Sequence, residues 1–271
     1  MRRHRHEFQS TLRDLPGLVH PVRGAPMNPL LRLRIEKAAA DCGFELVPIE
    51  QGGALLLGSA RFPESVAVRP LGDDAFELEA PNPALLDAGG AGAATVQGYG
   101  ALYDLLRTVA AHARTLPNRV ADAFRQQTAD LPRATEAERR VIQRVGQDLF
   151  RAALLDYWQG RCCVTGLAVP QLLRASHIKP WAACASDDER LDVFNGLLLA
   201  PHLDALFDGG WISFAQDGAL LVAEALSPAS RAQLGVAPNW QIRGLQSRHR
   251  DYLVFHRVQV FRAARAADAT T

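Results

Sequence analysis

The sequence predicts an α+β protein of two domains: a small α+β domain, then a C-terminal domain built on a β-hairpin, a short helix and a flanking long helix. Three observations predict it. Asn28-Pro29 opens an apolar helical stretch that stops at Gly43, and four short apolar runs follow, punctuated by glycine and aspartate. Leu116-Pro117-Asn118 and Leu131-Pro132-Arg133 break the chain in its middle. Thr135-Glu136-Ala137-Glu138 is a capping box before a long amphipathic stripe.

Residues 1–26 contain Pro16, Gly17, Pro21, Gly24 and Pro26 and show little periodicity, so they read as a flexible extension, with Met27 a candidate start. In the domain expected over 27–117, Asn28 is the N-cap, Pro29 takes the first helical position, and Gly43 sits where a left-handed C-cap belongs. Phe44 to Ile49, Ala54 to Leu57, Ser65 to Val68 and Ala75 to Leu78 read as strands, with Gly52-Gly53 and Gly72-Asp73-Asp74 as turns. A glycine-rich loop leads to a helix over about Gln97 to Leu116, and residues 118–134 read as a linker.

The second domain is expected over 135–265, with a tail at 266–271. Its first helix carries Val141, Ile142, Val145, Leu149, Phe150, Leu154, Leu155 and Trp158 at spacings of three and four and runs to Gly160. Leu172 to Ile178 reads as a strand, Pro180 to Asp192 as a polar loop, Gly196 to Leu199 as the return strand and Pro201 to Phe207 as a short helix. Trp211 to Phe214 and Leu220 to Glu224 make a hairpin around Asp217-Gly218, and a last helix spans about Arg250 to Arg265.

Composition sets outer limits. With 271 residues, 48% of them hydrophobic, the chain can bury a core and is not a disordered sequence. A net charge of +1 does not advertise a nucleic-acid binder, so only local patches can serve phosphate. Cys42, Cys162, Cys163 and Cys184 form no Cys-x-x-Cys pair and no disulfide framework, and read as reduced, buried thiols in a cytoplasm. No apolar run approaches a membrane span, and the basic N-terminus lacks the apolar core of a secretory signal.

One region concentrates chemistry. His177 falls at the end of an expected strand, where a neutral imidazole can take a proton near neutral pH. A lone histidine is more often a core or surface residue; the residues downstream change that weighing. Asp204 and Asp208 are four apart on an expected helix, which puts their Cβ atoms about 6 Å apart on one face. Two carboxylates there suit Mg²⁺ first, with Mn²⁺ or Ni²⁺ as alternatives, or else form a solvated acidic face, Asp208 closing a turn before Gly209-Gly210. Asn195, before Gly196, can brace the loop that aims His177 or simply form a turn, and the two roles are compatible. His202 is a third ligand, a phosphate contact or an ordinary helix-start residue.

Six stretches together resemble the HNH endonucleases, of the ββα-metal fold group, in the subfamily found in bacterial restriction-type proteins. They are Gln147 to Arg151, Leu155 to Trp158, Cys163 to Gly166, Ala175 to Trp181, Asn195 to Leu199 and Leu203 to Asp208. The resemblance covers roughly residues 135–265. It implies a metal-dependent DNA endonuclease in which His177 is the general base, Asn195 braces the loop, and Asp204 and Asp208 hold the cation. Two departures stand out. Ser176, a poor ligand, occupies a position where many relatives carry a metal-binding histidine or aspartate, and the helix offers aspartates where several relatives have histidines. Both favour a weakly held hard cation over tightly held zinc, and the missing zinc cysteines make Cys163 a packing residue.

Arg174, Lys179, Arg248, Arg250 and Arg257 are the candidate nucleic-acid contacts, the last three within a C-terminal segment whose only acid between 241 and 265 is Asp251. Arg139, Arg140, Arg144 and Arg151 offer a second strip. The N-terminal domain has no nameable motif, and its acidic 73–79 segment argues against DNA at that edge. DNA is the expected partner, with a homodimer and a methyltransferase or other defence protein as further candidates. A DNA-binding protein on a non-cleaving HNH scaffold and a nuclease toxin are the competing readings.

Overall fold

The structure, a computed structural model, describes residues 27–86, 92–115, 119–132 and 134–263. The expected extension at 1–26, the breaks at Pro117-Asn118 and Arg133, Arg265 and the tail at 266–271 lie outside the described residues. The chain divides into two compact units, Met1–Arg114 and Thr115–Thr271.

In the first unit, α1 (Pro29–Cys42) is capped as its sequence dictates. Asn28 accepts from the Leu30 amide, and Gly43 adopts φ 101°. Five antiparallel strands follow in chain order: β1 (Ile49–Gln51), β2 (Ala54–Leu57), β3 (Val66–Pro70), β4 (Ala75–Glu79) and β5 (Ala93–Gln97). α2 (Tyr99–Thr115) closes the unit. Every residue of β2 is buried, so it reads as an apolar run rather than an alternation.

Two expectations shift here. The first strand is Ile49–Gln51, not Phe44 to Ile49. Gly52 and Gly53 both have positive φ, 58° and 77°, making a two-residue turn that pairs Gln51 directly with Ala54 and draws the strand toward the turn. Phe44 instead packs edge-on against Phe62, 5.5 Å between centroids. β5 lies in the stretch expected to be loop; its Ala-Ala-Thr-Val-Gln sequence has little apolar pattern because it is an edge strand, paired with β4 alone.

In the second unit, α3 (Arg119–Thr128) falls inside the expected linker and packs against α4 (Glu136–Tyr157). Phe124 of α3 is 3% exposed, and a Cβ added at Gly146 of α4 would lie 3.3 Å from its ring. The Thr135–Glu138 capping box forms both of its hydrogen bonds. β6 (Arg174–His177) and β7 (Gly196–Leu199) pair antiparallel, and α6 (Pro201–Asp208) packs on β6; between the strands lies a four-residue helix, α5 (Asp187–Arg190). β8 (Ile212–Phe214), β9 (Leu220–Val222), α7 (Pro228–Gln233) and α8 (Ser247–Gln259) complete it.

α8 starts three residues before the expected Arg250 and ends well short of Arg265. Its start is set by an unusual reciprocal cap between Gln246 and His249, in which the Gln246 amide donates to His249 Nδ1 at 3.1 Å. Beyond its end, the Arg262 amide donates to the Gly210 carbonyl at 2.9 Å. A Cβ at Gly210 would come within 2.2 Å of the Val260 carbonyl oxygen, so only glycine admits this strap. Phe150, Phe194, Phe207 and Phe214 are fully buried in this unit, each contributing about 1.5–3 kcal/mol by leaving water.

Candidate active site

The register of the hairpin places His177 opposite Gly196, at the mouth end of both strands. The imidazole is fixed from three sides. Phe150 of α4 stacks on it at 4.0 Å and 16°, Trp181 meets it edge-on at 5.5 Å, and its Nε2 lies 2.8 Å from the Arg190 carbonyl. A carbonyl can only accept, so Nε2 carries the hydrogen and the neutral ring keeps its lone pair on Nδ1. Burial pushes the His177 pKa below its ordinary value, partly countered by the Arg190 carbonyl. The ring is therefore a neutral proton acceptor at physiological pH.

The loop that supplies this carbonyl is held by Asn195, which is 0% exposed. Its Oδ1 accepts from the Lys179 amide at 2.7 Å. Its Nδ2 donates to the carbonyls of Lys179 and Glu189, both at 3.2 Å. The expected brace from Asn195 across the loop base is thus formed. Gly196 beside it is extended rather than a turn residue, and a Cβ there would meet Leu154 and Phe150 at 2.7 Å. The glycine lets α4 press its aromatic ring onto the hairpin and so onto His177.

Successive strand residues face opposite ways, so Ser176 turns toward α6 while His177 turns toward α4. Ser176, 1% exposed, donates its hydroxyl to Asp208 Oδ1 at 3.2 Å. Hydrogen bonding from the same hydroxyl holds down the Asp204 carboxyl, so it reaches toward both aspartates. Burial raises the pKa of each, and the Asp204 charge raises Asp208 further. Asp208 and His177 line one cleft of about 280 Å³, together with Trp181 and His256.

His202 stands apart. Two residues before Asp204 lies about 200° around a helix, and its ring lies near Trp240, 6.1 Å between centroids. The structure does not bring it to the aspartates. No group of three or more histidine, cysteine, aspartate or glutamate side chains able to hold a metal occurs among the described residues. The available donors are two carboxylates and a hydroxyl. Hard oxygens of this kind suit a largely hydrated Mg²⁺ or Mn²⁺ better than zinc, whose sites are built mainly on histidine nitrogen and cysteine sulfur. All four cysteines are buried and free; the Cys162 sulfur accepts from the amides of Thr165 and Ala200, both at 3.4 Å, and so shapes the turn before the hairpin.

Residues 162–215 match the family described as HNH endonuclease. The chain carries an HNH domain. No curated protein matches the sequence. The HNH match encloses β6, β7 and α6, the hairpin and helix that bear His177, Asn195, Asp204 and Asp208. It gives the chain a nuclease-type, DNA-related domain and does not single out the restriction-type members.

The expected DNA contacts divide into two groups. Lys179 pairs with Glu189 at 2.6 Å and lies over the Phe255 ring; Arg248 pairs with Asp192 at 2.8 Å and stacks over Phe194; Arg257 donates to the Phe214 carbonyl at 2.9 Å. These three hold the HNH unit together. Arg174 and Arg250 are exposed, and the charge of Arg174 reaches Asp204. Arg151, in the second strip, likewise spends its guanidinium on the carbonyls of Leu173 and Pro170. His256, which the sequence offers only as one of the basic residues of the C-terminal segment, is buried: its Nε2 donates to the Phe207 carbonyl at 3.1 Å and its ring stacks on Phe207 at 3.8 Å and 2°. Ser213 lies 2.9 Å from its Nδ1. Nothing in the local sequence pairs residues 207 and 256; only the fold does.

Proposed function

We propose that the chain is a metal-dependent endonuclease that hydrolyses phosphodiester bonds in DNA, with His177 as general base. The observation that carries this reading is the pinned imidazole: Nε2–H is tied to the Arg190 carbonyl, and the neutral ring lies in the same cleft as Asp208. His177 Nδ1 takes a proton from water as the water oxygen bonds to phosphorus. The bond to the leaving deoxyribose oxygen breaks, and that oxygen is finally protonated by solvent. Asn195 keeps the loop, and through it the Arg190 carbonyl, in place. A divalent cation held by Asp204 and Asp208 would neutralise charge growing on the phosphate and the leaving oxygen. Arg174, exposed beside Asp204, is placed to contact a neighbouring phosphate.

A restriction or defence setting is what the resemblance implies, and a methyltransferase gene beside this one would support it. The testing experiment is nicking of supercoiled plasmid in EDTA, Mg²⁺, Mn²⁺, Ni²⁺ or Zn²⁺ by the wild type and His177→Ala. The expected result is cutting with Mg²⁺ or Mn²⁺ that EDTA and the substitution both abolish. Equal cutting by His177→Ala overturns the assignment of the base.

A further inference from the structure

We infer that Phe124, on a helix outside the matched HNH segment, is a positioning residue for the His177 imidazole and acts through Trp181. The inference deepens the reading of His177 as general base and, for its effect on rate, rests on it. The family match begins at residue 162, so it does not reach α3. Phe124 is nonetheless 3% exposed, and its ring is packed against one particular point of α4. A Cβ added at Gly146 would lie 3.3 Å from the Phe124 ring and 2.8 Å from Trp181 Cη2, so the two rings share the space over one glycine. A glycine inside a helix is destabilising relative to alanine. The 22-residue α4 carries this one at the place where both rings occupy the volume of the missing side chain.

Trp181 follows β6 and is only partly buried, and it meets the His177 ring edge-on at 5.5 Å and 85°. Phe150 covers a face of the same imidazole. With Phe124 removed, Trp181 gains room over Gly146, and the imidazole loses a wall that holds it to the Arg190 carbonyl. α3 also reaches that second support. Arg125 donates to Asp188 at 2.9 Å, on the short helix α5 whose Arg190 carbonyl accepts from His177 Nε2. The Arg125–Asp188 pair is about half exposed on both sides and is weak by itself, so the buried Phe124 ring carries the positioning. A reacting group displaced by about 1 Å can lose about a hundredfold in rate.

The test uses the full-length protein and two readouts, one of them independent of cleavage. Wild type is compared with Phe124→Ala, Phe124→Leu, Trp181→Ala, the variant carrying both alanines, and Gln126→Ala as an exposed control on α3. Melting curves set a temperature at which each is folded; if Phe124→Ala does not fold, Phe124→Val takes its place in every comparison. The first readout is nuclear magnetic resonance of isotope-labelled histidine without metal or DNA, the His177 signals being identified by their loss in His177→Ala. The Nε2 proton of Phe124→Ala is expected to exchange with solvent about tenfold faster or more. The second is the cleavage rate at saturating DNA in Mg²⁺, expected to fall about tenfold or more with DNA affinity unchanged. Phe124→Leu should recover most of both, Gln126→Ala should match wild type, and the double variant should lose no more than Trp181→Ala alone. Wild-type exchange in folded Phe124→Ala overturns the inference whatever the rate does. Faster exchange with an undiminished rate, where His177→Ala is inactive, overturns it as well, and so does a double variant whose losses multiply. If exchange rises while wild type and His177→Ala cleave alike, the reading of His177 as base falls and the positioning of its ring stands.

Discussion

His177 and Asn195 are sharply specified at the level of single side chains. In its proposed role as the base, His177 can work only while neutral. Its pKa is lowered by burial, so the neutral form persists below the ordinary 6.5 of a free histidine. The expected pH profile of plasmid cleavage is therefore flat through neutrality, with an acid limb that begins below 6.5; a limb at or above 6.5 would remove His177 as the group titrating. Asn195→Ala leaves the Lys179 amide and two carbonyls of the loop without their buried partner. At about 1–3 kcal/mol for an unsatisfied buried group, the melting temperature should fall and cleavage should fall further, because the Arg190 carbonyl that fixes the imidazole is no longer anchored. Chemical melts and cleavage rates on the same preparations check both halves. His177 and Asn195 were both legible in the sequence, since strand-end and loop-base positions can be read from periodicity and glycine placement. The departure at Ser176 was visible as well, but its direction was not: only the strand pleat shows the hydroxyl turned toward both aspartates.

At the scale of elements, the hairpin, α4 and α8 fix the site by close approach. Gly196 has no room for a Cβ, which would lie 2.7 Å from Phe150 and Leu154. Gly196→Ala should cost roughly 1–3 kcal/mol as overpacking and, by displacing the ring stacked on His177, lower cleavage more than it lowers stability; urea melts beside rate measurements separate the two. His256 couples α8 to the end of α6. Burial lowers its pKa to about 4. Its folded value lies below its unfolded value, so the unfolded chain binds the extra proton and stability rises with pH across this interval. The contribution is complete above about 6.5 and is lost as pH falls toward 4, on the order of 3 kcal/mol in all. His256→Gln should flatten that part of the stability curve, measured as urea midpoint against pH. Capped elements such as α1 and α4, and β2 with its apolar run, are those the sequence placed best, because each carries its own local signal. β5, α3 and the start of α8 were missed or shifted: β5 is a polar-patterned edge, α3 is short and lies between two proline-marked breaks, and α8 is capped by a Gln–His pair that matches no common box.

For the molecule as a whole, the balance of charge decides how DNA is met. A net charge of +1 over 271 residues gives no general attraction. The basic C-terminal segment looked like a phosphate-binding face, but Arg248 and Arg257 are committed to Asp192 and to the Phe214 carbonyl, and Lys179 to Glu189. Asp192 shows why the commitment matters: burial raises its pKa against the pull of Arg248, so removing the arginine strands a largely buried carboxylate. Of the five expected contacts, the side chains that remain outward are Arg174, on the side of Asp204, and Arg250 on α8. Arg174→Ala and Arg250→Ala should therefore each weaken DNA binding across sequences and reduce the slope of log affinity against log salt by about one, with no change in melting temperature. Arg248→Ala should do the reverse, lowering the melting temperature while leaving the salt slope nearly intact. Binding isotherms on a short duplex in EDTA, at several salt concentrations, measure the slopes without cleavage. An unchanged slope for Arg174→Ala would mean that phosphate is held from another face and would remove this residue from the DNA path.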